Sequence, residues 1–461
     1  MAAGDHPDKD TQGVDRRSFF KTGVLAGLGA LTAASALNSC DATASGRGPA
    51  PAQLFSVAPL KKVRIGMVGV GLQGTSHVRN FLGIPEAQIT AVCDIRPERV
   101  AAAQKLITAA GHPEPRGYSR GSTDFLRLCD EEELDLVFTA TPWEWHVPVC
   151  VAAMKSGKHA ATEVPAAVTV DECWQLVETA EKYHKHCVMM ENCCYDREEL
   201  LILNLVRKGM LGEIINAEAG YLHDLRNVKF NNENEAVWRL PHSIKRDGNL
   251  YPTHGLGPVS QCMNVNRGDQ FDYLVSMSSV SRGLNLYASR LYGAEDPRAT
   301  QRYALGDVNT TLIRTVLGKT ITLIHDTSTP RPYTRINRVQ GTRGLAEKWP
   351  HRVYIEGKSE PHRWDDLADY YQEHDHPLWR ELQQRAAGSG HGGMDFIECY
   401  RLIHCLLNGQ PMDMDVYDAA SWSCISELSE RSVARRGRPM DVPDFTRGRW
   451  KNWPQLGIIS A

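Results

Sequence analysis

Between residues 63 and 191 the chain alternates short apolar runs with amphipathic stretches, a pattern typical of a parallel sheet covered by helices. The apolar runs predict strands starting at residue 63 and over residues 88–93, 134–140, 159–162 and 187–191. The amphipathic stretches predict helices over residues 75–82, 99–110, 147–155 and 170–184. Ligands of such sheets bind beyond the carboxyl ends of the strands. We therefore look for a site in residues 141–146, 163–165 and 192–195.

Beyond residue 207 the period changes to polar–apolar alternation, which predicts an antiparallel sheet with one face covered. The alternating segments are residues 213–225, 271–282, 308–317, 320–326 and 335–340, and helices are predicted near 396–407 and over 416–432. The predicted class is α/β: an N-terminal Rossmann domain with a doubly wound parallel sheet (61–191), then a C-terminal α+β domain with an open antiparallel sheet (192–461).

A glycine-rich turn follows the first predicted strand. Gly69, Gly71 and Gly74 have the spacing GxGxxG, in which helix N–H groups can approach a pyrophosphate, with backbone offered by Leu72 and Gln73. Glycine triplets also form ordinary strand-to-helix corners, so the motif alone leaves both interpretations open.

The residue that ends the second predicted strand favours the dinucleotide interpretation. Asp94 lies about twenty residues after Gly74, where a Rossmann unit places the carboxylate that binds the adenosine ribose. A carboxylate there would repel a 2′-phosphate, which favours NAD. Arg96, two residues on, keeps NADP as the alternative.

The first sixty residues predict export. Arg16 and Arg17 precede a weakly apolar run at 22–37, too short and too mild for a stable membrane span. Residues 1–40 resemble a twin-arginine signal with a lipobox ending at Cys40, and 41–60 a flexible tether. An A-x-A site at 34–36 is a competing cleavage point, and a disordered basic tail is the plain alternative. We expect a periplasmic lipoprotein, anchored through Cys40 and handled by the twin-arginine machinery.

Charge and cysteine content exclude other classes. The 461 residues carry a net charge of −3 with mixed signs, and no basic block indicates a nucleic-acid partner. The 12 cysteines form no CxxC motif, and most fall in apolar patterns where a thiol acts as a small hydrophobe. His374, Asp375 and His376 favour a solvated loop over a metal site, so no metal is predicted.

A nucleotide-binding half followed by an open sheet resembles the glucose-fructose oxidoreductase/inositol dehydrogenase family. Its members carry a Glu-Lys-Pro turn after the fifth strand, with the lysine at the reacting hydroxyl. In this chain the turn is Glu163-Val164-Pro165. The departure removes the family's acid/base lysine and argues against an ordinary sugar dehydrogenase.

Longer strings are similar to one branch, glycoside hydrolase family 109. They are residues 142–146 (PWEWH), 191–195 (ENCCY), 220–226 (GYLHDLR), 238–239 (WR), 250–255 (LYPTHG), 330–333 (PRPY), 390–395 (GHGGMD) and 445–453 (FTRGRWKNW). The resemblance implies an NAD-dependent α-N-acetylgalactosaminidase whose cofactor ends each cycle as it began, an exception to two-carboxylate glycosidases. By analogy it also implies a homodimer.

The resemblance implies a set of substrate residues. With the family lysine missing, the best acid/base candidates are Tyr251 and His254, three residues apart before a predicted helix, with His254 as base for the 3-hydroxyl because imidazole titrates near neutrality. Tyr221 and Tyr333 are candidates for the carbon 2 base or for sugar stacking, and Arg239 for a sugar hydroxyl or the acetamido group. Pro252 and Thr253 complete the set. A histidine bonded to backbone and tyrosines in the core are the plain alternatives.

On the cofactor side, the resemblance adds residues beyond the strand ends. They are Trp143, Glu144, Trp145, His146, Glu163, Val164, Asn192 and Tyr251. The two tryptophans have packing as their alternative role. The string at 390–395 predicts either a helix start with Asp395 in its first turn or a segment that closes the pocket.

Three functions remain open at this stage. The first is an exported glycosidase that acts by oxidation, elimination, water addition and reduction, with no net redox change. The second is an NAD(P)-dependent sugar or cyclitol oxidoreductase, and the third is a non-catalytic sugar-binding lipoprotein. Export favours the first, because free NAD is scarce outside the cytoplasm.

Overall fold

The structure, a computed structural model, describes residue 55 and residues 57–231, 235–455 and 458. The predicted export signal, with Arg16, Arg17 and Cys40, and most of the tether lie outside the described residues. Among the described residues, no helix combines the length and apolar character needed to cross a bilayer.

A six-stranded sheet forms the N-terminal part. Its strands are β1 (Val63–Val68), β2 (Ala87–Cys93), β3 (Arg116–Tyr118), β4 (Leu136–Thr139), β5 (His159–Thr162) and β6 (Cys187–Met189). They lie in the order β3-β2-β1-β4-β5-β6, and every pair is parallel. This is the doubly wound Rossmann order, so the predicted fold class is confirmed for this half.

Helices connect these strands. They are α1 (Leu72–Leu82), α2 (Pro97–Ala109), α3 (Phe125–Glu131), α4 (His146–Lys155) and α5 (Val170–Tyr183), with 3₁₀ turns at Trp143–Trp145 and Asn192–Tyr195. The helix α5 begins with a capping box in which Thr169 and Glu172 bond each other's backbone. Strand β3 and helix α3 are absent from the sequence prediction. The strand was missed because it has three residues and two of them are exposed.

An eight-stranded sheet follows. Its strands are β7 (Ile214–Leu222), β8 (Phe271–Ser278), β9 (Asn309–Thr315), β10 (Thr320–Asp326), β11 (Arg338–Gly341), β12 (Gly344–Glu347), β13 (Arg352–Ile355) and β14 (Met440–Asp441). Their order is β13-β12-β11-β7-β10-β9-β8-β14. The pairs are antiparallel, as expected, except that β10 runs parallel to β7. Alternation along a strand reports burial of one face and carries no information on the direction of its neighbour.

Helices and short turns complete the C-terminal part. They are α6 (Arg197–Arg207), α7 (Arg226–Phe230), α8 (Ala236–Lys245), α9 (Thr253–Met263), α10 (Gly283–Tyr292), α11 (Pro297–Thr300), α12 (Tyr371–His374), α13 (Pro377–Ala386), α14 (Met394–Asn408), α15 (Val416–Ser423) and α16 (Ile425–Ala434), with 3₁₀ turns at Leu367–Tyr370, Gly390–Gly393 and Arg449–Lys451. The single helix expected over 416–432 is therefore two helices that meet at Cys424.

Three C-terminal helices pack against the N-terminal sheet and the second sheet. Helix α14 packs against α1 and β1, α15 against α5 and β6, and α16 against β8. One continuous apolar core accordingly includes residues of both sheets. The cysteines among the described residues are free thiols and buried, which agrees with their interpretation as small hydrophobes.

Candidate active site

A cavity of about 460 Å³ lies beyond the carboxyl ends of the parallel strands. Its floor comes from the loops after β1, β2, β4, β5 and β6, and its opposite wall from β7, α8 and α9. This size is in the range of small-molecule sites. Both halves of the fold therefore contribute to one pocket.

The glycine loop forms the end of the cavity nearest β1. Gly69 has φ +81°, and a Cβ at Gly74 would lie 1.9 Å from the Gly69 carbonyl oxygen, so side chains are excluded from both positions. Helix α1 begins at Leu72 without a side-chain cap and without an acidic residue in its first turn. Its first N–H groups are therefore available to an anion such as a pyrophosphate.

Asp94 lies beside this loop, at the end of β2. Its carboxylate accepts hydrogen bonds from the backbone N–H groups of Val70 (3.0 Å) and Arg96 (3.0 Å), and the residue is 8% exposed. These bonds fix the carboxylate against the glycine loop, and each oxygen keeps a lone pair for a ribose hydroxyl. Arg96 and Arg99 line the same end of the cavity.

The loop after β4 supplies an aromatic wall. Trp143, Trp145 and His146 line the cavity, whereas Glu144 does not. The two ring nitrogens of His146 lie 2.7 Å from the Pro165 carbonyl oxygen and 2.9 Å from that of Thr141. Burial lowers the pKa of His146, so its imidazole is neutral and donates one of these bonds. His146, from the loop after β4, thus lies against the Pro165 carbonyl in the turn after β5.

The turn after β5 presents a buried carboxylate. Glu163 and Val164 line the cavity, and one Glu163 oxygen lies 2.5 Å from Nε2 of His77 on α1. The other oxygen accepts the N–H of Val164 at 3.1 Å. Burial alone would raise the pKa of Glu163, yet the hydrogen bond from His77 brings it below its ordinary value. The turn is thereby held to the first helix of the nucleotide-binding sheet.

A third strand end meets the C-terminal helix α14. The Asn192 amide donates to Asp395 at 2.7 Å, and Asp395 accepts from Nδ1 of His391 at 2.8 Å. His391 and Asn192 line the cavity. Asp395 is in the first turn of α14, so the string at 390–395 starts a helix and also reaches the pocket, and both sequence alternatives apply.

His254 is paired with a fully buried carboxylate. It is the second residue of α9, and its Nδ1 lies 2.7 Å from Oε1 of Glu191. Burial alone would raise the pKa of Glu191, but the imidazole outweighs it and holds that pKa below its ordinary value. A Cβ at Gly257 would lie 2.8 Å from Glu191 Cγ, so this glycine permits α9 to approach. The backbone-bonded alternative for His254 is thus not the one found.

Two tyrosines and an arginine lie next to this pair. The ring centroid of Tyr251 is 4.6 Å from that of Tyr221 and 4.8 Å from that of His254. The Arg239 guanidinium lies 5.3 Å from the Tyr251 ring and 4.7 Å from the Trp238 ring, and its Nε donates to Glu235 at 2.8 Å. Stacking and the ion pair hold Arg239 rigidly at the cavity wall.

The Tyr221 hydroxyl has a histidine partner that the sequence prediction did not assign. It lies 3.0 Å from Nδ1 of His223, and both residues line the cavity. Burial raises the pKa of Tyr221 to about 12 and lowers that of His223. Both shifts favour the neutral groups, and a neutral His223 can accept a hydrogen bond from the tyrosine hydroxyl at Nδ1.

The structure places most of the predicted site residues at the cavity and some behind it. Those that line it are Gly69, Gly71, Leu72, Gln73, Asp94, Trp143, Trp145, His146, Glu163, Val164, Asn192, Tyr221, Arg239, Tyr251 and His254. Those that do not are Gly74, Glu144, Pro252, Thr253 and Tyr333. Gly74 supports the loop from beneath, and the Tyr333 hydroxyl accepts from Arg335 at 2.9 Å while its ring packs on His223.

Sequence reasoning assigned no role to Glu191, His223 or His77. Glu191 and His223 fall inside strings that were singled out, ENCCY and GYLHDLR, so a polar residue within a distinctive string was the available signal. His77 lies in the middle of α1 on its buried side, and nothing in the local pattern distinguishes it from a core residue.

The residues present fit a dinucleotide. Gly69 and Gly74 leave space that a Cβ would fill, the α1 N-terminus is uncapped, and Asp94 is fixed at the ribose position. At the other end the His254–Glu191 and Tyr221–His223 pairs supply two proton-transfer groups on neighbouring rings. The arrangement can hold NAD and move protons at a bound polyol.

Two family descriptions match the chain. "Oxidoreductase family, NAD-binding Rossmann fold" matches residues 63–191, and "Glycosyl hydrolase 109, C-terminal domain" matches residues 195–452. The chain therefore carries an NAD-binding Rossmann domain, as predicted from Gly69 and Asp94.

Relatives match over nearly the whole chain. A "Glycosyl hydrolase family 109 protein" of Shewanella pealeana is 46% identical over 454 residues, covering 97% of this chain and 100% of the relative. An "Alpha-N-acetylgalactosaminidase" of Shewanella oneidensis is 46% identical over 459 residues, covering 97% of this chain and 99% of the relative.

Solved structures share the fold at low identity. A levoglucosan dehydrogenase in complex with NADH and levoglucosan has a TM-score of 0.62 at 20% identity, covering 83% of this chain and 100% of that one. A scyllo-inositol dehydrogenase from Lactobacillus casei with bound NAD(H) and scyllo-inositol has a TM-score of 0.59 at 14% identity, covering 83% and 99%.

Proposed function

The chain belongs to glycosyl hydrolase family 109, and we propose that it hydrolyses terminal α-linked N-acetylgalactosamine, or a related hexoside, without net redox change. It is a glycoside hydrolase with an NAD-binding domain. Support for the substrate comes from the relative named alpha-N-acetylgalactosaminidase, which is 46% identical to it. Support for the chemistry comes from the residues of the cavity.

Cofactor binding engages the parallel-sheet side of the cavity. The α1 N-terminus binds the pyrophosphate and Asp94 the ribose, while Glu163, Val164 and Asn192 lie at the far strand ends. NAD bound there would supply a hydride acceptor for carbon 3 of the sugar and, in its reduced form, the hydride donor that closes the cycle. Val164 supplies no acid/base group at the position where dehydrogenases of the wider family carry lysine, so the base must come from elsewhere.

His254 is the proposed base for the sugar 3-hydroxyl. Because the Glu191 carboxylate is an acceptor, Nδ1 of His254 carries the proton and donates it to Oε1 across 2.7 Å between the heavy atoms, which leaves the lone pair of Nε2 for the substrate. The buried carboxylate also stabilises the imidazolium that forms when His254 takes the proton. The pair carries the proposal, since it places an oriented base beside Tyr251 in the cavity.

Tyr221 is the proposed base for carbon 2, whose proton becomes acidic once carbon 3 is a ketone. Its hydroxyl lies 3.0 Å from His223, which can accept the tyrosine proton and restore it later. Removal of the carbon 2 proton forms a carbon 1–carbon 2 double bond and expels the glycosidic oxygen, which takes a proton and leaves as the alcohol. Water then adds its hydroxyl to carbon 1 while a proton returns to carbon 2. Arg239, held by Glu235 and the surrounding rings, provides its remaining N–H donors to a sugar hydroxyl or to the acetamido carbonyl.

The test uses purified protein without added NAD and p-nitrophenyl α-N-acetylgalactosaminide. We expect release of nitrophenol with no accumulation of NADH. A substrate deuterated at carbon 2 should lose its label to solvent, because elimination breaks that bond. NADH production from free sugars, with no release from a panel of α- and β-linked glycosides, would instead identify a net oxidoreductase.

The proposal includes export by the twin-arginine route and lipidation at Cys40, supported by Arg16, Arg17 and the apolar run in the sequence. Fractionation of cells that express the full chain tests it. Membrane-bound protein that becomes soluble in Cys40→Ala, and cytoplasmic precursor in Arg16→Lys with Arg17→Lys, are the expected results. Unchanged fractionation of both variants would contradict it.

We also propose that the protein forms a homodimer through the open face of the eight-stranded sheet. Support comes from exposed apolar side chains there, such as Met277 (71%) and Leu312 (50%). Light scattering on the purified protein should give twice the chain mass, and Leu312→Lys should halve it. A monomer at micromolar concentration would remove this part of the proposal.

A further inference from the structure

The thiol of Cys193, which the proposed reaction does not use, lies beside the His254–Glu191 pair at the cavity. Carboxylate, thiol and imidazole atoms of Glu191, Cys193 and His254 all lie within 4.8 Å of one another. Glu191 and Cys193 are buried and His254 is partly exposed. The Oε2 atom of Glu191 is buried and, among the described residues, has no hydrogen-bond partner. A buried acceptor without a donor indicates a missing partner.

We propose that Glu191, Cys193 and His254 form a binding site for a thiophilic divalent cation of the zinc class, and that the bound cation inhibits the enzyme. One carboxylate, one thiolate and one imidazole are ligands that zinc accepts, whereas magnesium and calcium prefer oxygen alone. Three protein ligands leave a fourth position open in a tetrahedral site, and one of the three, His254, lines the cavity. The cavity is also the route of entry.

The geometry needs only side-chain adjustment. In tetrahedral sites with metal–ligand bonds of about 2.0–2.3 Å, ligand atoms lie on the order of 3.5 Å apart. The present separations reach 4.8 Å at most, and the His254–Glu191 distance is 2.7 Å. The backbone N–H of Cys193 already donates to Oε1 of Glu191 at 3.2 Å, which fixes the carboxylate relative to the thiol.

Binding of the cation leaves the site without net charge. The Cys193 thiol releases its proton to solvent as the sulfur binds the cation, and the imidazole stays neutral. If Nδ1 binds, its proton moves to Nε2. A dication, a thiolate and a carboxylate then sum to zero, which removes the cost of burying net charge. Inhibition by the cation rests on the proposed role of His254, because a ligated imidazole cannot accept the substrate proton. Binding of the cation does not depend on that role.

The test is titration of the NAD-loaded enzyme with Cd²⁺, which gives ultraviolet charge-transfer absorption when bound to a thiolate. We expect one equivalent to bind, with Zn²⁺ displacing it. Cys193→Ser should abolish the band and weaken binding about tenfold or more. Cys194→Ser is the matched control, because Cys194 is an adjacent buried thiol outside the cluster, and it should keep the band. NAD content of each variant reports folding.

The activity arm uses Zn²⁺, with every variant normalised to its own metal-free rate. Inhibition that EDTA reverses in the parent and in Cys194→Ser, and that is weakened in Cys193→Ser, supports the site. A parent enzyme without the Cd²⁺ band, a band lost equally in both serine variants, or undiminished inhibition of Cys193→Ser would each overturn it. If no glycosidase activity is found, the proposed function fails while the Cd²⁺ titration still decides the site.

Discussion

Replacement of Glu191 by glutamine tests whether the buried carboxylate positions His254. Glu191 Oε1 accepts from His254 Nδ1 at 2.7 Å and from the Cys193 N–H at 3.2 Å, and Oε2 has no partner among the described residues. Glutamine preserves the shape but removes the charge, and in one orientation it puts an NH₂ group where Oε2 has no hydrogen-bond partner among the described residues. The perturbation therefore reaches His254 with little change in packing.

The magnitude follows from the type of hydrogen bond. A bond to a charged group contributes about 1.5–3 kcal/mol and a neutral one about 0.5–1.5 kcal/mol, so about 1–1.5 kcal/mol is lost. That difference corresponds to roughly a tenfold fall in kcat. If the amide instead turns its NH₂ toward Nδ1, the imidazole proton moves to Nε2 and the base is blocked. The loss then approaches the roughly 10⁴-fold known when a triad carboxylate becomes an amide.

The assay is initial-rate kinetics on p-nitrophenyl α-N-acetylgalactosaminide, with NAD content measured on the same samples. We expect Glu191→Gln to lower kcat at least about tenfold while KM changes by less than about threefold, as for a group that acts in the transition state. An unchanged kcat would refute the proposed role of the pair, whatever the effect on stability.

Glu398→Gln is the matched control. Glu398 is also fully buried, on α14, and neither of its oxygens has a partner among the described residues. Burial raises the pKa of Glu398 well above its ordinary value, with Asp395 and Glu163 adding to the effect. Burial therefore favours the neutral carboxyl, which the amide resembles in shape and charge, so the substitution should cost little. A loss of kcat equal to that of Glu191→Gln would show a general effect on the core.

Three further substitutions test other parts of the site and the fold. Gly74→Ala should abolish NAD retention, measured by fluorescence, because its Cβ would lie 1.9 Å from the Gly69 carbonyl oxygen. Tyr221→Phe should lower kcat by about 10²-fold or more, as expected for loss of a general base, whereas Tyr333→Phe should stay within about fivefold, because that residue does not line the cavity. Burial lowers the pKa of Lys229 from 10.5 to about 7. Between these values the unfolded chain binds more protons, so the unfolding free energy should rise with pH by up to about 1.4 kcal/mol per unit, and Lys229→Met should flatten this rise in urea titrations.

Controls and contrary outcomes differ among the three. Arg79→Ala, on the exposed end of α1, should keep its NAD, and Gly74→Ala with full NAD content would disprove the crowding argument. Equal losses in the two tyrosine variants would place Tyr333 in the reaction. Lys155→Met, an exposed substitution on α4, should leave the pH dependence of stability unchanged. A pH slope retained in Lys229→Met would mean that another group causes it.

Periodicity and one motif were enough to predict the nucleotide-binding half. Each strand of that sheet except β3 has an apolar run, and the spacing from Gly74 to Asp94 requires a βαβ unit. In the second half, the alternation of polar and apolar residues located β7, β8, β9 and β10 but did not predict their order in the sheet. The parallel contact between β7 and β10 depends on long-range packing that no local pattern encodes.

The candidate site could be predicted only where a residue adjoins a recognisable string. Tyr251 and His254 lie in such a string and also line the cavity. The partnerships could not be predicted, because His254 meets Glu191 across 63 positions of sequence and Asn192 meets Asp395 across 203. Tyr333 shows the converse, since a distinctive string placed it at the substrate while the fold puts its hydroxyl against Arg335.

Helix α14 lies against α1, and its position has a consequence for biosynthesis. His77 contacts Cys399 at 3.3 Å, and Asp395 holds Asn192. A ribosome that has released only the first half of the chain has therefore made a nucleotide-binding sheet without the helix that braces it. We therefore expect NAD loading to need the finished polypeptide, because a product truncated before α14 lacks the Asp395 carboxylate that holds Asn192. On this expectation, the NAD content of a preparation should fall as the share of chains that end before α14 rises.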